Sequence, residues 1–210
     1  RIKRADRLLS NPHLVSETPL IYASICQLFC GNTTRPVISI DWSDLDDRKA
    51  HFLLRAAISL KGRPVTLYQE VHCNKTKEKP ATHKAFLKAL HAILPSNCRP
   101  IIVTDAGYKS PWFRAVRALG WDIIGRIRKP HLYSLDRGDT WQCIRYLYTQ
   151  ATCRPKRFDN SQIVRSNPFD CTLVLFKQKS KGRHASNPDG TRKASKRSKV
   201  HAQGAKDPWL

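Results

Sequence analysis

Two short apolar runs, each ending at an aspartate, constrain the fold of this sequence most strongly. One spans residues 101–104 and stops at Asp105, and the other spans residues 36–40 and stops at Asp41. Both are rich in β-branched residues and too short for a buried helix, so each predicts a strand, and the 101–104 run predicts one buried on both faces. Gly107 follows closely and allows the chain to turn sharply.

The two aspartates are the first candidates for a functional site. If the two strands lie parallel and adjacent, Asp41 and Asp105 meet at the carboxyl edge of the sheet, where open α/β sheets bind ligands. Facing carboxylates repel each other unless a cation joins them, so the pattern predicts a divalent-metal site. An aspartate after a strand is also a common turn or cap residue, and for Asp105 alone that interpretation is equally good. Asp41 lies between Ile40 and Trp42, so we expect it to be buried and to need a partner.

The remaining pattern indicates how these two strands become neighbours. Residues 1–30 have loose helical periodicity with a break at Asn11-Pro12. Short connections favour an antiparallel meander of three strands near residues 36–42, 52–60 and 65–71. A helical stripe over residues 81–94 then returns the chain to the strand at 101–104, which predicts that this strand is parallel to the first.

A helix start is predicted directly after the second aspartate. Ser110 is the expected N-cap, with Pro111 at the first helical position and Gly120 at the end. A fifth strand is expected over residues 121–128. The fold class is therefore α/β, with a mixed five-stranded sheet flanked by helices.

The pattern changes beyond Pro130. Short β-like runs separated by basic loops predict an inserted, mostly β subdomain without helices; they lie at residues 143–148, 162–165 and 171–177. We expect three segments: an N-terminal helical segment, the first part of a catalytic core, and a basic β-rich insertion, at residues 1–35, 36–130 and 131–210. The Ser/Gly/Lys/Arg-rich run from Lys181 to Lys199 predicts a mobile loop.

The charge of the chain points to a polyanionic partner. Lys and Arg number 38 against 16 Asp and Glu, a net charge of +22. Nucleic acid is favoured over a membrane, because the sequence has no long apolar segment, no amphipathic anchor and no signal peptide.

The seven cysteines are irregularly spaced and form no C-x-x-C pair, which favours reduced thiols in a cytosolic protein over a zinc site.

Several basic residues are candidates for DNA contact. Arg126 and Arg128 alternate out of the predicted fifth strand and either follow phosphates or form a solvated basic face. Lys109 stands near Asp105 and either approaches DNA or is an ordinary surface lysine. The Lys181–Lys199 run predicts non-specific, strongly salt-dependent attraction to phosphates.

Three motifs together resemble a known family. They are Asp-Trp-Ser at 41–43, Val-Thr-Asp-Ala-Gly-Tyr-Lys at 103–109 and Pro-Trp-Phe at 111–113. They are similar to those of the DDE transposases of bacterial insertion sequences, in particular the cut-and-paste group with a downstream Y-x2-R-x3-E-x6-K signature. The resemblance covers nearly the whole chain and implies an RNase H-like fold.

The resemblance also implies the chemistry. Asp41 and Asp105 match the first two catalytic and metal-binding carboxylates, and the third, a glutamate, is expected beyond this sequence, which would make the chain a fragment. Two Mg²⁺ ions about 4 Å apart, replaceable by Mn²⁺, would hold the attacking and leaving oxygens during nicking, hairpin formation and strand transfer. Trp209 matches a tryptophan that stacks on a flipped base.

The implied partners are double-stranded DNA, as transposon ends and as target, and a second copy of the protein in a synaptic homodimer. The implied location is the bacterial cytoplasm, at the nucleoid. Two alternatives stay open: another RNase H-like nuclease that forms no hairpin, and a non-catalytic DNA-binding remnant. The residues that follow Leu210 would discriminate between them.

Overall fold

The computed structural model describes residues 2–128 and 130–177, together with Thr191, Pro208 and Leu210. The chain divides into two compact units, Arg1–Gly125 and Arg126–Leu210. The helices of the first unit are α1 (Ile2–Leu9), α2 (Pro12–Cys30), α3 (Pro80–Ile93) and α4 (Ser110–Ala118). Its strands are β1 (Val37–Asp44), β2 (His51–Ser59), β3 (Pro64–Cys73), β4 (Ile101–Thr104) and β5 (Asp122–Gly125).

The first unit contains a mixed sheet of five strands in the order β3-β2-β1-β4-β5. The β1–β2 and β2–β3 pairs are antiparallel, whereas the β1–β4 and β4–β5 pairs are parallel. This confirms the predicted antiparallel meander and the parallel return after α3. The prediction of an RNase H-like α/β fold is also confirmed.

The core of this unit lies where the helices pack on the sheet. The ring of Tyr68 on β3 contacts both Tyr22 of α2 and Phe86 of α3. The largest fully buried side chains of the unit come from the strands and from α3 and α4; they are Ile38, Ile40, Leu54, Leu67, Phe86, Leu87, Leu90, Ile102 and Trp112. Alternate residues of β1 and β4 supply this core, as expected for strands with one covered face.

The expectation that β4 is buried on both faces was wrong. Ile102 and Thr104 are buried, but Ile101 and Val103 are only half-buried. The neighbouring strand β1 alternates more strongly, since Ile38 is buried and its odd-numbered neighbours are exposed. A short run of β-branched residues looks the same whether one or both faces are covered, so composition alone does not separate the two cases.

The ends of α4 differ slightly from the prediction. The helix begins at Ser110, so the N-cap is Lys109, whose side chain makes no capping hydrogen bond, and Ser110 was wrongly predicted as the cap. Pro111 lies in the first turn, where its missing N–H is not needed. Gly120 has φ +72°, a left-handed conformation that ends the helix as expected.

Strand β5 is shorter than predicted because it ends at Gly125. A Cβ atom at Gly125 would lie 2.6 Å from Cε1 of Phe113, so only glycine fits where this strand meets α4. Arg126 and Arg128 therefore do not alternate out of a strand. The alternation of Ile123 and Ile127 in the sequence continues past the point where strand pairing stops.

The second unit is mostly β, as predicted. Its sheet has the order β7-β6-β8-β9 with antiparallel pairs; the strands are β6 (Leu132–Ser134), β7 (Gln142–Cys143), β8 (Lys156–Ile163) and β9 (Phe169–Leu175). The predicted strand at 143–148 was wrong, because Ile144–Gln150 form a 3-10 helix. Ile144 and Leu147 are both fully buried and lie three residues apart, which matches the period of that helix.

No helix within the described ranges is both long enough and apolar enough to cross a lipid bilayer. The predicted mobile loop at Lys181–Lys199 lies outside the described residues, Thr191 excepted.

Candidate active site

Asp41 and Asp105 come together at the carboxyl edge of the sheet. The parallel register of β1 and β4 places Ile40 opposite Thr104, so Asp41 within β1 and Asp105 directly after β4 each follow one residue of this pair. Both aspartates line one pocket with a cavity volume of about 180 Å³. The spatial arrangement that the sequence predicted is therefore present.

The carboxylate of Asp41 is held by its own neighbour in β1. The backbone N–H of Trp42 donates to Asp41 Oδ1 at 2.9 Å. Asp41 is exposed, which corrects the expectation of burial, because the odd-numbered residues of β1 lie on its open side. Neighbouring groups still remove part of the water around the carboxyl, and this desolvation, together with the charge of Asp105, raises the pKa of Asp41 against the lowering effect of the Trp42 N–H.

Asp105 lies in the turn that follows β4. Its Oδ1 accepts a hydrogen bond from the backbone N–H of Gly107 at 2.8 Å. A Cβ atom at Gly107 would lie only 3.0 Å from that same oxygen, so the glycine allows the turn to close tightly. Asp105 thus has the turn role that the sequence left open, and it also lines the pocket.

One wall of the pocket is a cluster of aromatic rings around His83 of α3. Trp42 Nε1–H donates to His83 Nε2 at 3.2 Å. The imidazole stacks on Tyr108, with ring centroids 5.3 Å apart, and meets Trp112 edge-on. His83 is only 8% exposed, and burial, with a smaller contribution from His72, lowers its pKa to about 4. At neutral pH the imidazole is therefore uncharged and accepts the tryptophan bond that fixes Trp42 beside Asp41.

The loop between β3 and α3 contributes two further charged residues, Lys77 and Glu78. Lys77 Nζ lies 3.9 Å from Glu78 Oε1 and 3.8 Å from the centroid of the Phe52 ring. Glu78 has φ +58°, a left-handed conformation that is uncommon for a non-glycine residue. Sequence reasoning left both residues out of the site, because nothing in the local pattern relates this loop to strand ends far away in the chain.

The donor atoms at this edge fit a hard divalent cation. Carboxylate oxygens suit Mg²⁺, which keeps several water ligands and needs few protein ones. Tyr108 lines the same pocket, and its buried hydroxyl has no hydrogen-bond partner among the described residues, as expected beside a bound oxygen ligand. Within the described part of the chain, no group of three or more His, Cys, Asp and Glu side chains is arranged to hold a metal ion. The carboxylates that fit are therefore Asp41 and Asp105, and Glu78 is not a third ligand in this arrangement.

The other predicted site residues do not join the pocket. Lys109 is exposed at the start of α4 and does not line the cavity. Arg126 and Arg128, half-buried and exposed respectively, belong to the second unit. Trp209 lies outside the described residues.

The mixed sheet, with two aspartates together at its carboxyl edge, places the protein in the class of RNase H-like α/β proteins. The chain belongs to the family described as "Transposase DDE domain", whose family model matches residues 33–183. No curated protein and no solved structure matches the chain. Family membership confirms the resemblance to DDE transposases and supports a transposase function that acts on DNA.

Proposed function

We propose that this chain belongs to the catalytic part of a transposase that cleaves and rejoins DNA at the ends of an insertion sequence, with Asp41 and Asp105 as catalytic and metal-binding carboxylates. The observation that supports this most directly is the parallel pairing of β1 and β4, which brings these two residues into one pocket. The pocket lies within the residues that match the transposase family.

Asp41 and Asp105 would hold the divalent cation, Mg²⁺ or Mn²⁺, and when bound the metal supplies Lewis-acid activation of a water or hydroxyl nucleophile. The chain itself pre-orients the two carboxylates, since the N–H groups of Trp42 and Gly107 each bind one carboxylate oxygen. The neutral His83 keeps the Trp42 side chain in place. Lys77 adds a positive charge to the pocket wall, which favours a phosphodiester next to two carboxylates.

The DNA partner is supported by the net charge of +22. We assign phosphate contacts to Lys109, Arg126 and Arg128, with non-specific attraction from the Lys181–Lys199 run. Replacing one contacting residue by alanine should lower the slope of log binding constant against log salt concentration by about 1. An unchanged slope for any of the three, measured by fluorescence anisotropy over a salt series, would identify that residue as an ordinary surface cation.

The finer steps of the proposal follow the cut-and-paste group with the Y-x2-R-x3-E-x6-K signature. After the first nick, the free 3′-hydroxyl attacks the phosphodiester of the opposite strand, which gives a hairpin and releases the flanking DNA with its own 3′-hydroxyl. Water then hydrolyses the hairpin and frees the 3′-hydroxyl of the element again, and this hydroxyl attacks the target DNA in strand transfer within a synaptic homodimer. Trp209 stacks on the flipped base near the hairpin. Trp209→Ala should therefore impair hairpin formation more than the first nick, whereas Trp209→Phe should retain part of the hairpin activity. Equal loss of both steps in Trp209→Ala would contradict base stacking.

The central experiment is DNA cleavage by the full encoded protein with Asp41→Asn and Asp105→Asn. Asparagine keeps the size of the side chain and removes the charge that a cation needs, so each variant should lose Mg²⁺-dependent cleavage of the element ends but keep DNA binding. Asp122→Asn is the matched control, because Asp122 is also exposed and lies at the opposite end of the parallel strands, paired with Arg35. It should cleave like the unmodified protein.

The outcome also separates the alternatives. Normal cleavage by either aspartate variant would rule out its catalytic role. An unmodified protein that binds element ends but never cuts them would favour the DNA-binding remnant. Cleavage without any hairpin product, and without any effect of Trp209 substitutions, would favour a different RNase H-like nuclease.

A further inference from the structure

Tyr108 lines the proposed active-site pocket and carries a buried hydroxyl that has no role in the chemistry proposed above. The residue is 4% exposed, and its ring is stacked on His83 and tilted against Trp112, with centroids 5.3 Å and 4.7 Å away. This packing fixes the direction of the ring. The hydroxyl at its end is buried and has no hydrogen-bond partner among the described residues. A buried hydroxyl in that state is unfavourable, so its retention calls for an acceptor that the described residues do not supply.

Tyr108 lines the pocket together with its acidic residues. After burial, the strongest influences on the pKa of Tyr108 are the charges of Asp41, Asp105 and Glu78, and all of them raise it. These residues line the same cavity as Tyr108. The hydroxyl therefore stays protonated at neutral pH and has a proton to donate to an acceptor. The charges of Asp41 and Asp105 act on the hydroxyl, yet it donates a hydrogen bond to neither carboxylate.

The space available fits this interpretation. A cavity of about 180 Å³ has room for a few water molecules or for one phosphate group, since a water molecule occupies about 30 Å³ in the liquid. Lys77 on the same wall balances part of the negative charge. An oxygen atom placed between the carboxylates and Tyr108 would satisfy the orphaned hydroxyl.

We propose that the Tyr108 hydroxyl donates a hydrogen bond to an oxygen atom held beside Asp41 and Asp105, and so makes Tyr108 a further contact residue of the active site. The oxygen belongs either to a water on the divalent cation or to the DNA phosphodiester. This inference rests on the proposed function of the two aspartates. The contact positions the oxygen and involves no covalent step.

The test is Tyr108→Phe in the full encoded protein, because this change keeps the stacked ring and removes only the oxygen atom. Binding of Mn²⁺ without DNA is measured by isothermal titration, and cleavage of element ends is measured as kcat and KM. If the acceptor is a metal-bound water, the Kd for Mn²⁺ should rise about threefold to tenfold, the range expected for one lost hydrogen bond. If the acceptor is a phosphodiester oxygen, Mn²⁺ binding should be unchanged and kcat/KM should fall by a similar factor.

The thermal stability of the metal-free protein separates a contact role from a purely structural one. Since no described group accepts the bond, our proposal predicts that Tyr108→Phe leaves the Tm of the metal-free protein unchanged or raises it, whereas loss of a structural hydrogen bond would lower the Tm. Tyr133→Phe is the matched control: Tyr133 is also buried, but its hydroxyl donates to Gln142 Oε1 at 3.2 Å, so this variant should lower the Tm and leave metal binding and cleavage unchanged. The proposal is overturned if Tyr108→Phe lowers the Tm, or if it matches the unmodified protein in both Mn²⁺ binding and cleavage.

The two proposals fail separately. Loss of Mn²⁺ binding and cleavage in Asp41→Asn and Asp105→Asn, with Tyr108→Phe like the unmodified protein, would refute only the contact by Tyr108. Normal binding and cleavage in the aspartate variants would refute the proposed function itself.

Discussion

The buried histidine of the aromatic cluster should make the stability of the first unit depend on pH. His83 has a pKa of about 4 in the folded chain against about 6.5 for an unperturbed histidine. The unfolded chain therefore binds a proton at His83 between these two values and the folded chain does not. Folding is favoured above pH 6.5, and this contribution is lost as the pH falls towards 4.

The magnitude follows from the two pKa values. Full loss of the contribution corresponds to about 3 kcal/mol, since each pKa unit is worth about 1.4 kcal/mol. Between pH 7 and pH 5 the unfolded state gains about 2 kcal/mol relative to the folded state from this one residue. The groups that face the imidazole or act on its charge are Trp42 and His72 of the sheet, Tyr108 of the turn and Trp112 of α4.

The perturbation is His83→Gln, because the glutamine carbonyl can still accept the Trp42 indole N–H but cannot titrate. Urea unfolding at pH 7 and pH 5, followed by tryptophan fluorescence, gives the free energy of unfolding at each pH. The loss of stability between the two pH values should be about 2 kcal/mol smaller in His83→Gln than in the unmodified chain.

His91→Gln is the matched control, because His91 lies exposed on the same helix and outside the cluster. It should keep the pH dependence of the unmodified chain. The reasoning would be refuted if His83→Gln lost as much stability between pH 7 and pH 5 as the unmodified chain, because His83 would then not titrate differently in the two states.

Three further substitutions test the packing that positions the site. Phe86→Ala should cost about 3–5 kcal/mol in urea unfolding, because Phe86 is fully buried between α3 and the sheet; a cost below about 1 kcal/mol would contradict its place in the core. Gly125→Ala should cost about 1–3 kcal/mol through the clash with Phe113, and in a double-mutant cycle Phe113→Leu should relieve part of that cost. Asn11→Ala should cost about 1 kcal/mol and lower helix content by circular dichroism, since Asn11 Oδ1 accepts the His13 N–H at the start of α2.

The sequence by itself determined the framework of the site. The apolar runs before Asp41 and Asp105, together with the helix at Pro80–Ile93, were enough to predict two adjacent parallel strands and one shared edge. The motifs at 41–43, 103–109 and 111–113 identified the family. This was possible because strand and helix periods, turn glycines and crossover rules depend on residues close together in the chain.

Only the tertiary structure decided which side chains complete the pocket. Trp42 and His83 are 41 positions apart, and neither the lowered pKa of His83 nor the orphaned hydroxyl of Tyr108 has any signal in the local pattern. The place of Lys77 in the pocket has no local signal either. Asp41 is exposed, although its apolar neighbours in the sequence had suggested that it was buried. Burial, desolvation and cavity shape arise from contacts between distant segments, so they exist only once the chain has folded.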